Sequence, residues 1–434
     1  MIMMFLKNRS FKYESFRTIF VICIIIAVSA IAFSGIYSTN NIDKLSYVLA
    51  LGIDVGKNNN IELSVQLAKP GGSSEKSGSS SQSSNNIVNS IECSSIESGI
   101  NLFNSYISKK LNMGHCKVIV FSEEVASKGL STYLYTLLNS VEVSSQANIV
   151  VSKCSAKSFL EHSSPLLESL SSRYYDVASA SSEYTGYTQN ISLLNFFSNQ
   201  VDHFMQPVAI LGSINTGDTT NLSVGESSSN KSSTDLTNKD SSYKAGESPI
   251  SSSGNLENMG LAVFRYDTLV GELTGLESIC HLIVSNDLKS CNISIPNPIG
   301  DSENLDVNVR IAHNTKNNVK FVNGTPYVSS KIKLKVKIIS TTEKASLDKA
   351  NYFTPKHIDL IEEACNNYFQ KIISEYLYKT AKEYNSDIDG FGKYAAKNFV
   401  TLQDWDNYNW LDNYQNSTFN VEVDSKVMSG YTFL

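Results

Sequence analysis

The 434-residue chain lacks every common catalytic signature: no G-x-S-x-G, Walker or H-E-x-x-H pattern occurs, and the six histidines are dispersed. Those chemistries depend on local spacing, so none has a starting point here and no catalytic residue, cofactor or metal site is expected. Positive charge is also short, with 36 Lys and Arg against 42 Asp and Glu. Lys7, Arg9, Lys12 and Arg17 against Glu14 put +3 in the first seventeen residues, so the net charge of −6 becomes −9 beyond them. An acidic remainder argues against nucleic acid, whose phosphates demand basic surface. Of seven cysteines, Cys23 sits in an apolar run and the other six are widely spaced. That is no disulfide framework of a small secreted module, and scattered buried thiols are expected.

What is present starts with one long apolar run, Thr18 to Ile36, behind the basic N-terminus. As a helix it would reach roughly 28 Å, close to the ~30 Å hydrocarbon core of a bilayer. Positive charge before it keeps the first seventeen residues in the cytoplasm and sends the remainder outside. Two readings stand: an uncleaved signal-anchor helix over residues 1–40, or a secretory signal cut near Ala30-Ile31-Ala32. The remaining residues, in a chain that is 41% hydrophobic and 10% aromatic, suffice for two or three ordinary cores.

Two low-complexity stretches, Gly71 to Asn86 and Thr216 to Gly254, hold too little apolar surface to fold. The first reads as a Ser-rich insertion (71–86) within an N-terminal domain at 43–215; the second reads as a linker (216–254) before a C-terminal domain at 255–434, with subdomains near 255–300 and 301–434. In the N-terminal domain, Tyr47 to Val55, Ile61 to Lys69, Ile87 to Cys93, Cys116 to Phe121 and Asn148 to Ser152 read as strands. Helices are expected over Ile96 to Leu111, Leu130 to Leu138, from a Ser155 cap to Leu160, and over Leu193 to Val201. The C-terminal part predicts strands at Gly260 to Phe264, Leu269 to Leu273, Leu305 to Ala312, Val319 to Val322, Val328 to Ile339 and Phe419 to Val427. A helix near Leu276 to Val284 follows the second strand, and a long amphipathic helix from Pro355 to Tyr384 should lie across an antiparallel sheet. The fold class is α+β: an N-terminal anchor, a mixed α/β domain, then that sheet packed by the long helix.

Several motifs have plain readings. Asn385-x-Asp387-x-Asp389-Gly390 imitates the opening of a calcium loop, but position twelve falls on Ala396 instead of Glu. A helix-terminating turn is expected, with Asp387 and Asp389 accepting backbone hydrogen bonds and Gly390 and Gly392 at positive φ. His115-Cys116 and Cys280-His281 contain zinc-type ligands, but adjacent residues on a strand point to opposite faces, so the first pair cannot readily bind one metal, and core thiols with surface or hydrogen-bonded imidazoles are expected. Thr274 and Glu277 form a capping box. Lys331, Lys333, Lys335 and Lys337 alternate with four aliphatics, giving a strand one cationic face. Pairing with Phe419 to Val427 would set Lys opposite Glu or Asp, worth roughly 0.2 to 1 kcal/mol per pair. A solvated, charge-matched face and a contact for anionic lipid or an acidic partner subunit are both open.

The run Gly260 to Glu277 (GLAVFRYDTLVGELTGLE) resembles the start of the C-terminal region of the spore-germination nutrient-receptor C subunits, the Ger(x)C family. Leu49 to Asp54 is similar to that family's first ectodomain strand. Met113 to Glu123 resembles its H-x-K-V-I-V-x-S/G-E segment, and Ser386 to Gly392 its "sDifgfG" turn. Trp405 and Trp410 fall where the family places aromatics, and the order of the matches is the family's order. The resemblance implies a noncatalytic accessory protein on the outer face of the spore inner membrane, beside two integral membrane subunits, A and B. The receptor so formed responds to small-molecule germinants, and direct binding of the germinant by this chain is the alternative role. Most family members carry a lipoprotein signal ending in a Leu-x-Gly-Cys lipobox, whose cysteine is lipidated. Here Ile36 stands in its place, so the resemblance implies an uncleaved helix as the anchor.

Overall fold

Apolar runs of five residues are too short for a stable helix and become central strands. In β5 (Val118–Ser122) every residue is buried, and in β6 (Asn148–Ser152) four of five are; both faces of such strands must be covered. The computed structural model describes residues 17–29, 44–58, 60–68, 86–140, 142–163, 171–215, 241–250, 255–299, 304–341, 352 and 354–428. The chain divides into two units, Met1–Ser46 with Ser108–Lys110, and Tyr47–Ile107 with Leu111–Leu434.

In the first unit, residues 17–29 form a helix, α1, whose apolar side chains are exposed. Among the described residues no helix is long and apolar enough to cross a membrane. The expected anchor runs from Thr18 to Ile36, and its residues 30–36 lie outside the described set.

The second unit holds two sheets. The larger contains β1 (Leu45–Val55), β2 (Ile61–Ala68), β3 (Asn86–Cys93), β5, β6, β7 (Val208–Asn215), β8 (Asn255–Arg265) and β9 (Thr268–Leu273), in the order β3-β2-β1-β5-β6-β7-β8-β9, with β4 (Lys110–Asn112) beside β1. β1, β5, β6 and β7 run parallel, and the flanking pairs are antiparallel. β2 and β3 pair across the Ser-rich insertion, whose residues 71–85 lie outside the described set.

The sheet does not stop where composition sets the linker. β8 pairs with β7 along its length and β9 follows, so the hairpin after residue 254 completes the first sheet. Residues 241–250 are packed instead of free: Ala245 N–H donates to Met259 O, and Gly275 N–H to Tyr243 O. Backbone groups of this polar segment find partners on β8 and at Gly275, so it needs little apolar surface of its own. Residues 216–240 lie outside the described set.

Helices cover both faces of this sheet. α2 (Ile96–Tyr106), α3 (Glu123–Lys128), α4 (Ser131–Asn139) and α8 (Leu193–Val201) bury apolar residues in one cluster with Ile119 and Phe121. α5 (Ala156–His162) and Tyr175 of α6 (Ser171–Ala180) join Val118 and Val120 on the opposite face. A short α7 (Ser182–Thr185) precedes α8. Ser95, Ser122, Ser155 and Ser192 each accept a backbone N–H as N-cap, which places four of these helix starts.

After β9, α9 (Gly275–Ser285) opens on the expected capping box: Thr274 Oγ1 accepts from Glu277 N–H and Glu277 Oε2 accepts from Thr274 N–H. Thr274→Ala is expected to lower the unfolding free energy by about 1 kcal/mol, read from urea titration.

The second sheet has the order β10-β11-β12-β13, from β10 (Cys291–Pro296), β11 (Asn304–Val322), β12 (Thr325–Thr341) and β13 (Thr418–Val427). The strands expected at 305–312 and 319–322 are one 19-residue strand, irregular between Ile311 and Lys316. An antiparallel sheet was expected, but β13 runs parallel to β12. α10 (Pro355–Lys382) accounts for this, since its 28 residues carry the chain roughly 40 Å back along the sheet, and parallel neighbours need such a crossover. Thr354 caps α10 and Pro355 opens it; Ile361, Cys365, Phe369, Ile373 and Leu377 are buried as it packs on β10 and β13. α11 (Gly392–Ala395), α12 (Leu402–Tyr408) and α13 (Trp410–Tyr414) complete the chain before β13.

Candidate functional site

Three places in the second unit gather polar chemistry, and each follows from the topology. The first is buried. Asp387, in the turn after α10, accepts from Phe391 N–H at 3.0 Å, Gly392 N–H at 2.7 Å and Trp410 Nε1–H at 2.8 Å. Its own carbonyl takes Gln206 N–H, and Ser386 Oγ–H donates to Phe264 O at 2.6 Å. Asp389 was expected to accept backbone bonds; it takes the Tyr376 hydroxyl at 2.9 Å and faces His281 Nδ1 at 2.9 Å instead. The other His281 nitrogen lies 3.2 Å from Gln189 Oε1. Gly390 has φ +73 as expected, whereas Gly392 is helical. Gly392 is small for another reason: a Cβ there would lie 2.6 Å from Phe204 O.

This cluster joins β8, α9, α10 and α13. The His281 and Asp389 side chains are 0% exposed, and their polar atoms are satisfied by one another, Tyr376 and Gln189. What the arrangement does is hold the turn against the first sheet. The GLAVFRYDTLVGELTGLE run does the same from the other side: Arg265 pairs with Asp412 at 2.6 Å and Glu277 with Lys379 at 2.8 Å. A Cβ on Gly271 would lie 2.2 Å from the Tyr384 ring, whose hydroxyl donates to Glu272 O.

Burial pushes the Asp387 carboxyl up to about 7, against the pull of its three N–H donors. The folded chain then holds a proton that the unfolded chain releases near the ordinary value of 3.8. The associated stability is present below pH 4 and is lost as pH rises through about 7. Unfolding free energy is expected to fall over that window by on the order of 1 kcal/mol per pH unit relative to Asp387→Asn. Parallel urea titrations of parent and variant between pH 5 and pH 8 would read the difference; equal slopes would contradict it.

The second place is an open cleft of about 540 Å³ at the carboxyl ends of β1, β5 and β6, lined among others by Asp54, Glu62, Glu123, Glu124 and Lys153. The chain leaves β5 toward one face of the sheet and β6 toward the other. Divergence of this kind opens the crevice in which open α/β sheets bind ligands. Asp54 accepts Ala156 N–H at 2.7 Å and Lys157 N–H at 2.9 Å, while burial raises its carboxyl above the usual range. Lys153 pairs with Glu247 at 3.0 Å. Spacing along the sequence hid this cleft, because its residues meet only when the parallel strands align.

The third is the outer face of the second sheet. Lys331, Lys333, Lys335 and Lys337 are exposed there and alternate with buried Ile332, Leu334 and Val336. Lys331 lies 2.7 Å from Glu422 and Lys333 3.7 Å from Asp424, the expected cross-strand matches. The matching stops there. Lys335 faces Lys426 on β13 and Arg310 on β11, and Lys316 faces Lys331.

The zinc-type pairs separate. Cys116 is buried and donates to Val118 O, while His115 is exposed at 5.1 Å from the Tyr47 ring. Cys280 and His281 lie on α9, within the helix expected near Leu276 to Val284, and both are buried. All seven cysteines are free thiols. Among the described residues no group of three or more His, Cys, Asp and Glu side chains is placed to hold a metal ion.

The fold and these sites define a two-sheet α+β protein whose most distinctive residues bind its own parts together. The "Spore germination protein N-terminal domain" matches residues 38–214, and "Spore germination B3/ GerAC like, C-terminal" matches residues 259–430. The chain belongs to the Ger(x)C family of spore-germination receptor subunits. It is 24% identical over 387 residues to spore germination protein KC of Bacillus subtilis (strain 168), covering 86% of each chain. The GerBC crystal structure shares the fold, with a TM-score of 0.50, 12% identity, and coverage of 87% of this chain and 97% of that one. The two family matches break where the linker was expected, although the first sheet continues across that break.

Proposed function

We propose that this chain is the noncatalytic C subunit of a nutrient-germinant receptor at the spore inner membrane. Its ectodomain stands on the outer face and acts in receptor assembly or signalling beside the integral membrane A and B subunits. The observation that carries this reading is the pair of family matches over residues 38–214 and 259–430. The His281–Asp389–Tyr376 cluster supports it, since these titratable side chains are buried and hydrogen-bonded to one another among the described residues. The run from Thr18 to Ile36 serves as the anchor, with Ile36 replacing a lipidated cysteine. Mass spectrometry of the mature chain should show an uncleaved N-terminus without lipid. A start after Ala32 would contradict that anchor. Spores lacking the chain are expected to lose their response to at least one nutrient germinant; an unaltered response to every nutrient would overturn the assignment.

The cleft at the ends of β1, β5 and β6 favours a second reading, in which the ectodomain binds the germinant itself. Its carboxylates suit the ammonium group of a small molecule, and Lys153 is held by Glu247. Calorimetry of the full-length protein with candidate germinants should give saturable heat that Glu123→Gln with Glu124→Gln abolishes. Absence of heat across the germinants leaves the assembly role.

A further inference from the structure

The cations on the second sheet are unevenly compensated. At one end of the face, Lys331 and Lys333 have acids on β13. At the other end Arg310 lies directly opposite Lys335, with Lys337 next along β12. None of these three has a carboxylate within ion-pair distance among the described residues, and Lys426, the β13 neighbour of Lys335, is turned to Glu362 at 2.8 Å. Like charges directly opposite on a sheet destabilise it, so these cations work against folding in a chain whose net charge is −6. An external anion would offset that cost.

The same end of the same face carries two large apolar side chains. Ile339 continues the outward register of Lys335 and Lys337, and Met428 continues that of Lys426; each is 51% exposed. An acidic protein would need carboxylates in register with three cations on two strands. A layer of mobile headgroups needs no register, and it offers apolar depth to the two exposed side chains. Basic charge flanked by exposed apolar groups is the composition of a surface that settles into a bilayer interface.

We propose that the Arg310, Lys335 and Lys337 end of this face docks on an anionic phospholipid bilayer, with Ile339 and Met428 entering the interface. The inference takes its setting from the reading as a membrane-held subunit, yet its test does not require the receptor. The full-length chain carrying Ile339→Trp would be bound to vesicles of brominated phosphatidylcholine, with and without phosphatidylglycerol. Its tryptophan emission is expected to be quenched in the anionic vesicles and little changed in the zwitterionic ones. The native Trp405 and Trp410 are buried and form a constant background. Adding Arg310→Glu, Lys335→Glu and Lys337→Glu should reduce the docked-to-free ratio by on the order of a hundredfold and restore the emission. Lys335→Gln with Lys337→Gln, which removes charge without reversing it, should give an intermediate loss, and circular dichroism would report the fold of each variant. Equal quenching in both vesicle types, quenching that survives the triple reversal, or no quenching in anionic vesicles would each overturn the proposal. Cosedimentation of the parent with zwitterionic vesicles reads the N-terminal anchor separately.

Discussion

Replacing Gly260 by alanine is expected to disrupt the β8–β9 hairpin and leave most of the protein insoluble or loosened. Gly260 has φ +92, and a Cβ there would lie 2.1 Å from the Leu273 carbonyl oxygen on the paired strand. The obstructing atom belongs to the backbone, so no rotamer change relieves the contact. Gly260 N–H also donates to Tyr187 O at 2.9 Å, which ties the segment before α8 to the same point. Strained φ alone costs roughly 1–3 kcal/mol, and the displaced strand pairing brings the expected loss above about 4 kcal/mol. That is a large part of the 5–15 kcal/mol typical of a folded domain. Soluble yield and the urea midpoint measure it. A midpoint within about 1 kcal/mol of the parent would show that Leu273 moves away without cost.

Asp387→Ala should be nearly as damaging for a different reason. The variant removes the acceptor for Trp410 Nε1–H, Phe391 N–H and Gly392 N–H at once, all in a buried site. Each stranded donor costs about 1–3 kcal/mol, so a loss of roughly 3–6 kcal/mol is expected. The stacked Trp405 and Trp410 rings, 5.7 Å apart, should lose their near-ultraviolet dichroism as α12 and α13 loosen. Asp387→Asn keeps one acceptor oxygen but turns an NH₂ group toward donors, and should fall between parent and alanine. A dichroic signal and stability unchanged in Asp387→Ala would mean that water replaces the carboxylate and the turn is no clamp.

Elements with a strong period were legible in the sequence. The apolar spacing of Ile361, Cys365 and Phe369 placed α10, and Leu193 to Val201 is α8 at both ends. Strand direction was not legible, because alternation in Phe419 to Val427 is the same for either orientation and only the α10 crossover makes β13 parallel. The continuation of the first sheet through β8 was hidden for a related reason. A polar stretch reads as a linker whether or not its two ends lie on adjacent strands. Of the lysine face, the Lys331–Glu422 match was visible in the charge pattern, while the opposition of Arg310 and Lys335 depends on a register set by the irregularities in β11. The His281–Asp389 contact spans 108 positions and has no local signal. Asp387 and Asp389 were both read as turn residues, and the buried cluster separates them: one holds backbone and Trp410, the other holds side chains from α9 and α10.

Purification of the full-length chain from dormant spore membranes, with identification of everything that comes with it, tests the receptor assignment most directly. Two integral membrane proteins are expected in constant proportion to this chain, and both should be lost from the preparation when Asp387→Ala loosens the ectodomain. Absence of the chain from dormant spores, or its recovery from their membranes without any integral membrane partner, would contradict its role as a receptor subunit.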